Sequence, residues 1–282
     1  MVVKTKRISY LDSFKNELNS LNYSEYTISY YLCIVSQFLT IAGTKDSYSK
    51  QDIFSFLQSL SKLTESSKRT YLRVIKSFLD SLGMAWPLKK KEIRGVSEIG
   101  GEALSEDEAR KIIAYTKNNG DIEAYAIMRL LAATGMRRGE IGLLDKSNYT
   151  PPILKIILEK DEDFRVMRLD DETMAAINNY LATRSDTKEA LFLSPIGQDR
   201  ISGAAVGRIF NRVSKSTKIY RKGLGAHSMR RGWATWLAKR GMDIYSLQKA
   251  GHWKSISMPA RYVRLIPGEA EEKARELNPL TN

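Results

Sequence analysis

Apolar positions recur at helical spacing in four stretches over the first 85 or so residues. The first stretch is Leu11, Phe14, Leu18 and Leu21. The second, Ile28, Tyr31, Leu32, Val35, Phe38 and Leu39, stops at Gly43. Ser49 and Asp52 form a capping box ahead of Ile53, Phe56, Leu57 and Leu60, and the fourth stretch, Tyr71, Leu72, Ile75, Phe78, Leu79 and Leu82, closes at Gly83. Periodicity then lapses through Trp86, Pro87, the basic run Lys89, Lys90, Lys91 and Arg94, and Gly95, Gly100 and Gly101. This is the pattern of a basic linker joining two domains.

A second capping box, Ser105 with Glu108, restarts the helical pattern. The pattern changes to strands at Ile153–Leu158 and Phe164–Leu169, a hairpin with Lys160, Asp161, Glu162 and Asp163 at its tip. A short strand is expected at Leu191–Leu193, then several helices, the last over 268–277 with Ala270, Ala274 and Leu277 on one face. That terminal helix is expected to dock on a neighbouring protomer or on its own domain. The C-terminal part therefore reads as α-rich with a small antiparallel sheet.

Composition narrows the class. Of 282 residues, 43% are hydrophobic and 45 Lys and Arg stand against 32 Asp and Glu, a formal charge of +13. Such an excess suits a polyanionic partner, with nucleic acid ahead of an anionic membrane surface. No apolar stretch approaches the roughly 20 residues that span a bilayer. The N-terminal Lys4, Lys6 and Arg7 precede no apolar core, so no signal peptide is expected and the cytoplasm is the expected compartment. Cys33 is the single cysteine and His227 and His252 are the two histidines, too few for a zinc cluster or a disulfide framework. Neither a metal nor another cofactor is expected. Cys33, inside an apolar helical pattern, reads as a buried small residue.

Three segments carry the candidate chemistry: Thr134-Gly135-Met136-Arg137-Arg138-Gly139-Glu140, His227-Ser228-Met229-Arg230, and Gly251-His252-Trp253 with Tyr262 downstream. In this order, behind a small basic helical domain, they resemble the tyrosine recombinase family of Xer, Cre and phage integrase proteins. The resemblance covers nearly the whole chain and is motif-dense over residues 134–262. It implies a mainly α fold with a small antiparallel β-sheet: an N-terminal SAM-like four-helix core-binding domain over 1–85, a basic linker over 86–103, and a C-terminal α+β catalytic domain over 104–282. It further implies a clamp around double-stranded DNA at a recombination site, with four protomers acting together there and Lys89, Lys90, Lys91 and Arg94 contacting phosphates.

By the same resemblance Arg137 and Arg230 are the two phosphate-binding arginines and Glu140 their supporting carboxylate. Lys160 matches the hairpin lysine, although the usual preceding glycine is Glu159 here and the usual proline of the second strand is Arg168. A histidine or tryptophan precedes the family's nucleophile by nine residues, which selects Trp253 and leaves His252 as an adjacent candidate. Arg231 stands where many members have histidine, and the three-residue step from His227 selects Arg230.

The chemistry asks for these residue types. Attack by a phenol on a phosphodiester builds negative charge on phosphorus, which two planar guanidiniums can grip bidentately. A lysine can protonate the leaving 5′-oxygen, and a histidine near neutrality can manage the tyrosine proton. Trp253 offers an indole donor without proton transfer. A phosphotyrosine ester conserves the broken bond's energy for rejoining. Rival readings are a type IB topoisomerase, a catalytically idle DNA-binding regulator on this scaffold, and a metal-dependent nuclease, for which no carboxylate cluster stands out. Each residue also has a plain structural role open to it: Tyr262 is one of 14 tyrosines, Trp233 and Trp253 suit a core, His227 could cap a helix near Met229, and Arg137 and Arg138 could be surface charges.

Overall fold

A computed structural model describes residues 2–89, 102–158, 163–194 and 199–260, together with 262, 272, 274–276 and 278–280. The chain divides into two compact units, Met1–Ile99 and Gly100–Asn282.

The first unit holds α1 (Val2–Ser20), α2 (Glu25–Ala42), α3 (Lys50–Ser59) and α4 (Glu65–Ser81). Their starts are set by side-chain caps. Ser24, Ser49 and Thr64 accept from the backbone N–H groups of Thr27, Asp52 and Ser67, and Asp52 returns the bond to Ser49. The core is aromatic and apolar: Phe14 meets Phe78 edge-on at 5.5 Å and Phe38 meets Phe56 at 5.3 Å, all four fully buried. Leu21 lies past the end of α1 and is exposed. Cys33 is exposed as well, against the expectation of burial. It sits two residues before Val35, roughly 200° around the helix from the buried stripe.

The second unit is built round α6 (Ile122–Thr134), buried on almost every side through Ala124–Met128, Leu130 and Leu131. Packed about it are α5 (Glu106–Asn118), α8 (Asp171–Ala182), α9 (Gly203–Ser216) and α10 (Ala226–Lys239), with the short α7 (Arg138–Gly142) against α9. Helix α11 (Ile244–Gly251) and the single turn α12 (Ser257–Ala260) follow. The sheet has three antiparallel strands, β1 (Tyr149–Thr150), β2 (Ile153–Ile157) and β3 (Phe164–Arg168), in the order β1-β2-β3. Ile153 pairs with Arg168 and Ile157 with Phe164, so the hairpin has the predicted strands to within a residue. The fold is thus mostly helical with a small antiparallel sheet.

Two local expectations change. Leu191–Leu193 forms no strand; its surroundings make isolated bridges, Asp145 with Ala190 and Leu193 with Arg200. Three consecutive buried side chains there fill the core where a strand would alternate. The helix expected near Met229 begins at Ala226, so His227 lies inside its first turn and Gly225 is the cap. Of the terminal helix, residues 272 and 274–276 are helical and exposed, while Ala270 and Leu277 lie outside the described residues. No helix among the described residues is long and apolar enough to cross a membrane.

Candidate active site

Helix α6 stops at Gly135, whose φ of 59° is left-handed and whose missing Cβ leaves room for the Trp233 ring; a methyl there would collide with that ring. The turn delivers Arg137 to the N-cap of α7. Glu140, fully buried, closes the turn: its Oε2 accepts from the Arg137 backbone N–H at 2.8 Å and its Oε1 from Arg137 Nη1 at 2.5 Å. Arg137 remains one-third exposed.

Arg230 projects from α10 into the interior and is 1% exposed. Its Nη1 donates to Gly135 O at 2.6 Å and its Nη2 to Gly251 O at 2.5 Å, and its guanidinium carbon stands 4.5 Å over the Trp253 ring. Burial first, and the neighbouring Arg137 second, push its pKa down to about 9, which leaves it charged at neutral pH. Arg230 is thus enclosed, whereas Arg137 is open to solvent.

Trp253 is held by reciprocal bonds with Gln248, the Trp253 N–H donating to Gln248 O and Gln248 Nε2 to Trp253 O, both at 3.0 Å. Its ring lies 6.3 Å from Trp233 and 5.7 Å from Tyr262. Tyr262 is half-buried against this aromatic cluster, and its hydroxyl is within electrostatic reach of Arg230 and Arg231. Arg231 is engaged elsewhere, its Nε donating to Glu102 O and its Nη2 to Ser228 Oγ, both at 2.9 Å.

His227 lines a cleft of about 960 Å³ with Arg137, Arg138, Arg200 and the first turns of α9 and α10. Although part of its surface is exposed, crowding by the protein, then the charges of Arg231, Arg230, Arg137 and Arg138, hold its pKa at about 4. It is neutral at physiological pH. An anion in the cleft opposes those charges and shifts it upward. Backbone N–H groups at the starts of α9 and α10 add to the cleft's preference for anions.

His252 stands apart from this group. It caps α11 in a left-handed conformation, φ 49°, and its Nε2 lies 3.6 Å from Asp163 Oδ2 beside the hairpin. Lys160, Lys90, Lys91 and Arg94 lie outside the described residues, and Lys89 belongs to the first unit.

One residue escaped the sequence reading. Arg165, in β3 and only 7% exposed, donates from Nη2 to Thr134 O at 3.0 Å and from Nη1 to Ala250 O, and its Nη2 lies 4.0 Å from Glu140 Oε2. Burial pushes its pKa down to about 10. The available signal was phase: Arg165 pairs with Ile156, on the buried face of the hairpin. Among the described residues Glu140 is the one buried carboxylate here: it pairs with Arg137, lies 4.0 Å from Arg165, and acts on Arg230 only electrostatically, since the Arg230 donors go to carbonyls. That imbalance leaves net positive charge in a low-dielectric place, a site prepared for an anion.

Residues 102–268 match the model of the phage integrase family, and the chain belongs to that family. Among curated proteins it is similar to the tyrosine recombinase XerA of Pyrococcus furiosus, 25% identical over 287 residues that cover 99% of this chain and 97% of the relative. Among solved structures it is similar to a XerA recombinase, with 26% identity, a TM-score of 0.56, and 97% and 99% of the two chains covered. It also shares its fold with a transposon integrase in complex with circular intermediate DNA, at a TM-score of 0.78 and 16% identity over 95% of this chain and 99% of the other.

Proposed function

We propose that the chain is a site-specific DNA recombinase that cleaves and rejoins DNA through a 3′-phosphotyrosine on Tyr262. The observation that carries this reading is the three-arginine, one-carboxylate cluster against the aromatic shelf of Trp233, Trp253 and Tyr262. Tyr262 attacks phosphorus and the bond to the 5′-oxygen breaks. Neutral His227 takes the phenolic proton, and Lys160 gives a proton to the departing oxygen. Arg137 and Arg230 hold the non-bridging oxygens as charge develops, and Trp253 packs beneath Arg230 and adds its indole donor. Rejoining runs the same steps backwards with a 5′-hydroxyl from another strand.

The first unit serves as a SAM-like core-binding domain and the basic residues Lys89, Lys90, Lys91 and Arg94 supply phosphate contacts, with four protomers acting on two sites. Chromosome dimer resolution of the Xer kind, or excision and integration of a mobile element, is the role such an enzyme fills. A DNA partner is supported by the charge of +13 and by related structures solved on DNA, a XerH recombinase bound to its difH substrate among them.

Fragmented genomic DNA incubated with the wild-type chain should yield a protein–DNA adduct that survives denaturant, and Tyr262→Phe should yield none. No adduct from the wild type, or an adduct from the variant, overturns the proposal. Adducts that relax supercoils without exchanging strands would make the enzyme a topoisomerase.

A further inference from the structure

Two helices end at this site, and the ends of helices leave carbonyls without partners. At the end of α11 the Gln248 and Lys249 carbonyls accept from the N–H groups of Trp253 and His252. The next two, Ala250 and Gly251, accept from Arg165 and Arg230. At the end of α6 the Leu131 carbonyl accepts from the Gly135 N–H, while those of Thr134 and Gly135 accept from the same two arginines. Each guanidinium therefore spans both helix ends, Arg165 from Thr134 to Ala250 and Arg230 from Gly135 to Gly251. Helix C-termini carry partial negative charge, which suits two buried cations there. A lysine, with a single nitrogen, lacks the fixed fork that reaches two carbonyls at a set spacing.

We propose that Arg165 is a positioning residue for strand cleavage. It fixes the distance between the turn that carries Arg137 and the segment that carries Trp253, and so sets the grip on the scissile phosphate without touching DNA. The proposal rests on the recombinase reading above. Arg230 holds the same two helix ends but is itself assigned a grip on the phosphate in the proposed reaction; Arg165 holds them from the hairpin side, so the hairpin's second strand is tied to both.

The test uses the full chain and a nicked duplex bearing the sequence that the wild type captures from fragmented genomic DNA. In Arg165→Met the saturating rate of adduct formation should fall by about 100-fold, the scale expected when catalytic groups are misplaced by an ångström. Affinity for the duplex, measured in a Tyr262→Phe background, should stay within about threefold, and Arg165→Lys should recover part of the rate. Because Arg165 acts through Arg137, adding Arg165→Met to Arg137→Lys should cost much less than it costs alone. A rate in Arg165→Met within about threefold of wild type, a loss confined to affinity, or full additivity with Arg137→Lys overturns the proposal. Should Arg165→Met not fold, Arg165→Lys carries the same three criteria. Failure of the wild type to form adduct would instead sink the recombinase reading itself.

Discussion

The interiors of the two units are stabilised in different ways. Phe14, Phe38, Phe56 and Phe78 fill the first with groups that need no partner, and their burial is favourable wherever water is excluded. The second has, beside a conventional apolar core, buried Arg165, Arg230 and Glu140, which lose hydration on folding and depend on backbone carbonyls and on Arg137 for partners. An apolar core tolerates approximate shape. A charged one tolerates little, because each missing partner leaves a desolvated charge.

The largest expected effect follows directly. Glu140→Gln keeps the shape but leaves Arg137 and Arg165 without their carboxylate, and should cost about 3–5 kcal/mol. Phe78→Leu, a larger change of shape in the first unit, should cost about 1.5 kcal/mol. Urea unfolding of both variants measures the contrast, and equal losses would break it. Next comes Gly251→Ala. Its added methyl would collide with the Trp253 ring, which has to leave its place over Arg230. A loss of about 1–3 kcal/mol is expected. The adduct rate should fall with it, whereas a neutral effect on both would mean that Trp253 has freedom the packing denies.

The smallest effect is on proton binding. His227 has a folded pKa of about 4 against an ordinary 6.5, so the unfolded chain binds the proton more readily. Its contribution to stability is complete above pH 6.5 and is lost as pH falls from there through 4. Titration of the two histidines by NMR, with His252→Asn to assign them, should find His227 far below 6.5 and moving up when inorganic phosphate is added. A midpoint at 6.5 without phosphate would remove the electrostatic argument for the cleft.

Much of the local structure was legible in the order of residues. Capping boxes at Ser49 and Ser105 begin helices because their bonds span three residues, a range that the sequence displays. The hairpin strands follow from alternation, and the nine-residue step from Trp253 to Tyr262 picks out two rings that do meet. For Arg165 the hairpin phase hinted at burial, but its partners were not legible. Thr134 and Ala250 lie 31 and 85 residues away, too far for any local pattern to point to them. The exposure of Cys33 and the loss of a strand at Leu191–Leu193 have the same cause, since pattern gives period but not which neighbour fills the space.

The amino-acid sequence by itself determined the helical character, the hairpin, the basic charge and the order of the chemistry-bearing segments, because these depend on near neighbours and on composition. Only the tertiary structure decided that Arg230 is enclosed, that His252 turns to Asp163 while Trp253 turns to Tyr262, and that two arginines bridge the ends of α6 and α11. Those outcomes depend on which helix ends meet, and buried charges take the partners that the fold brings within reach.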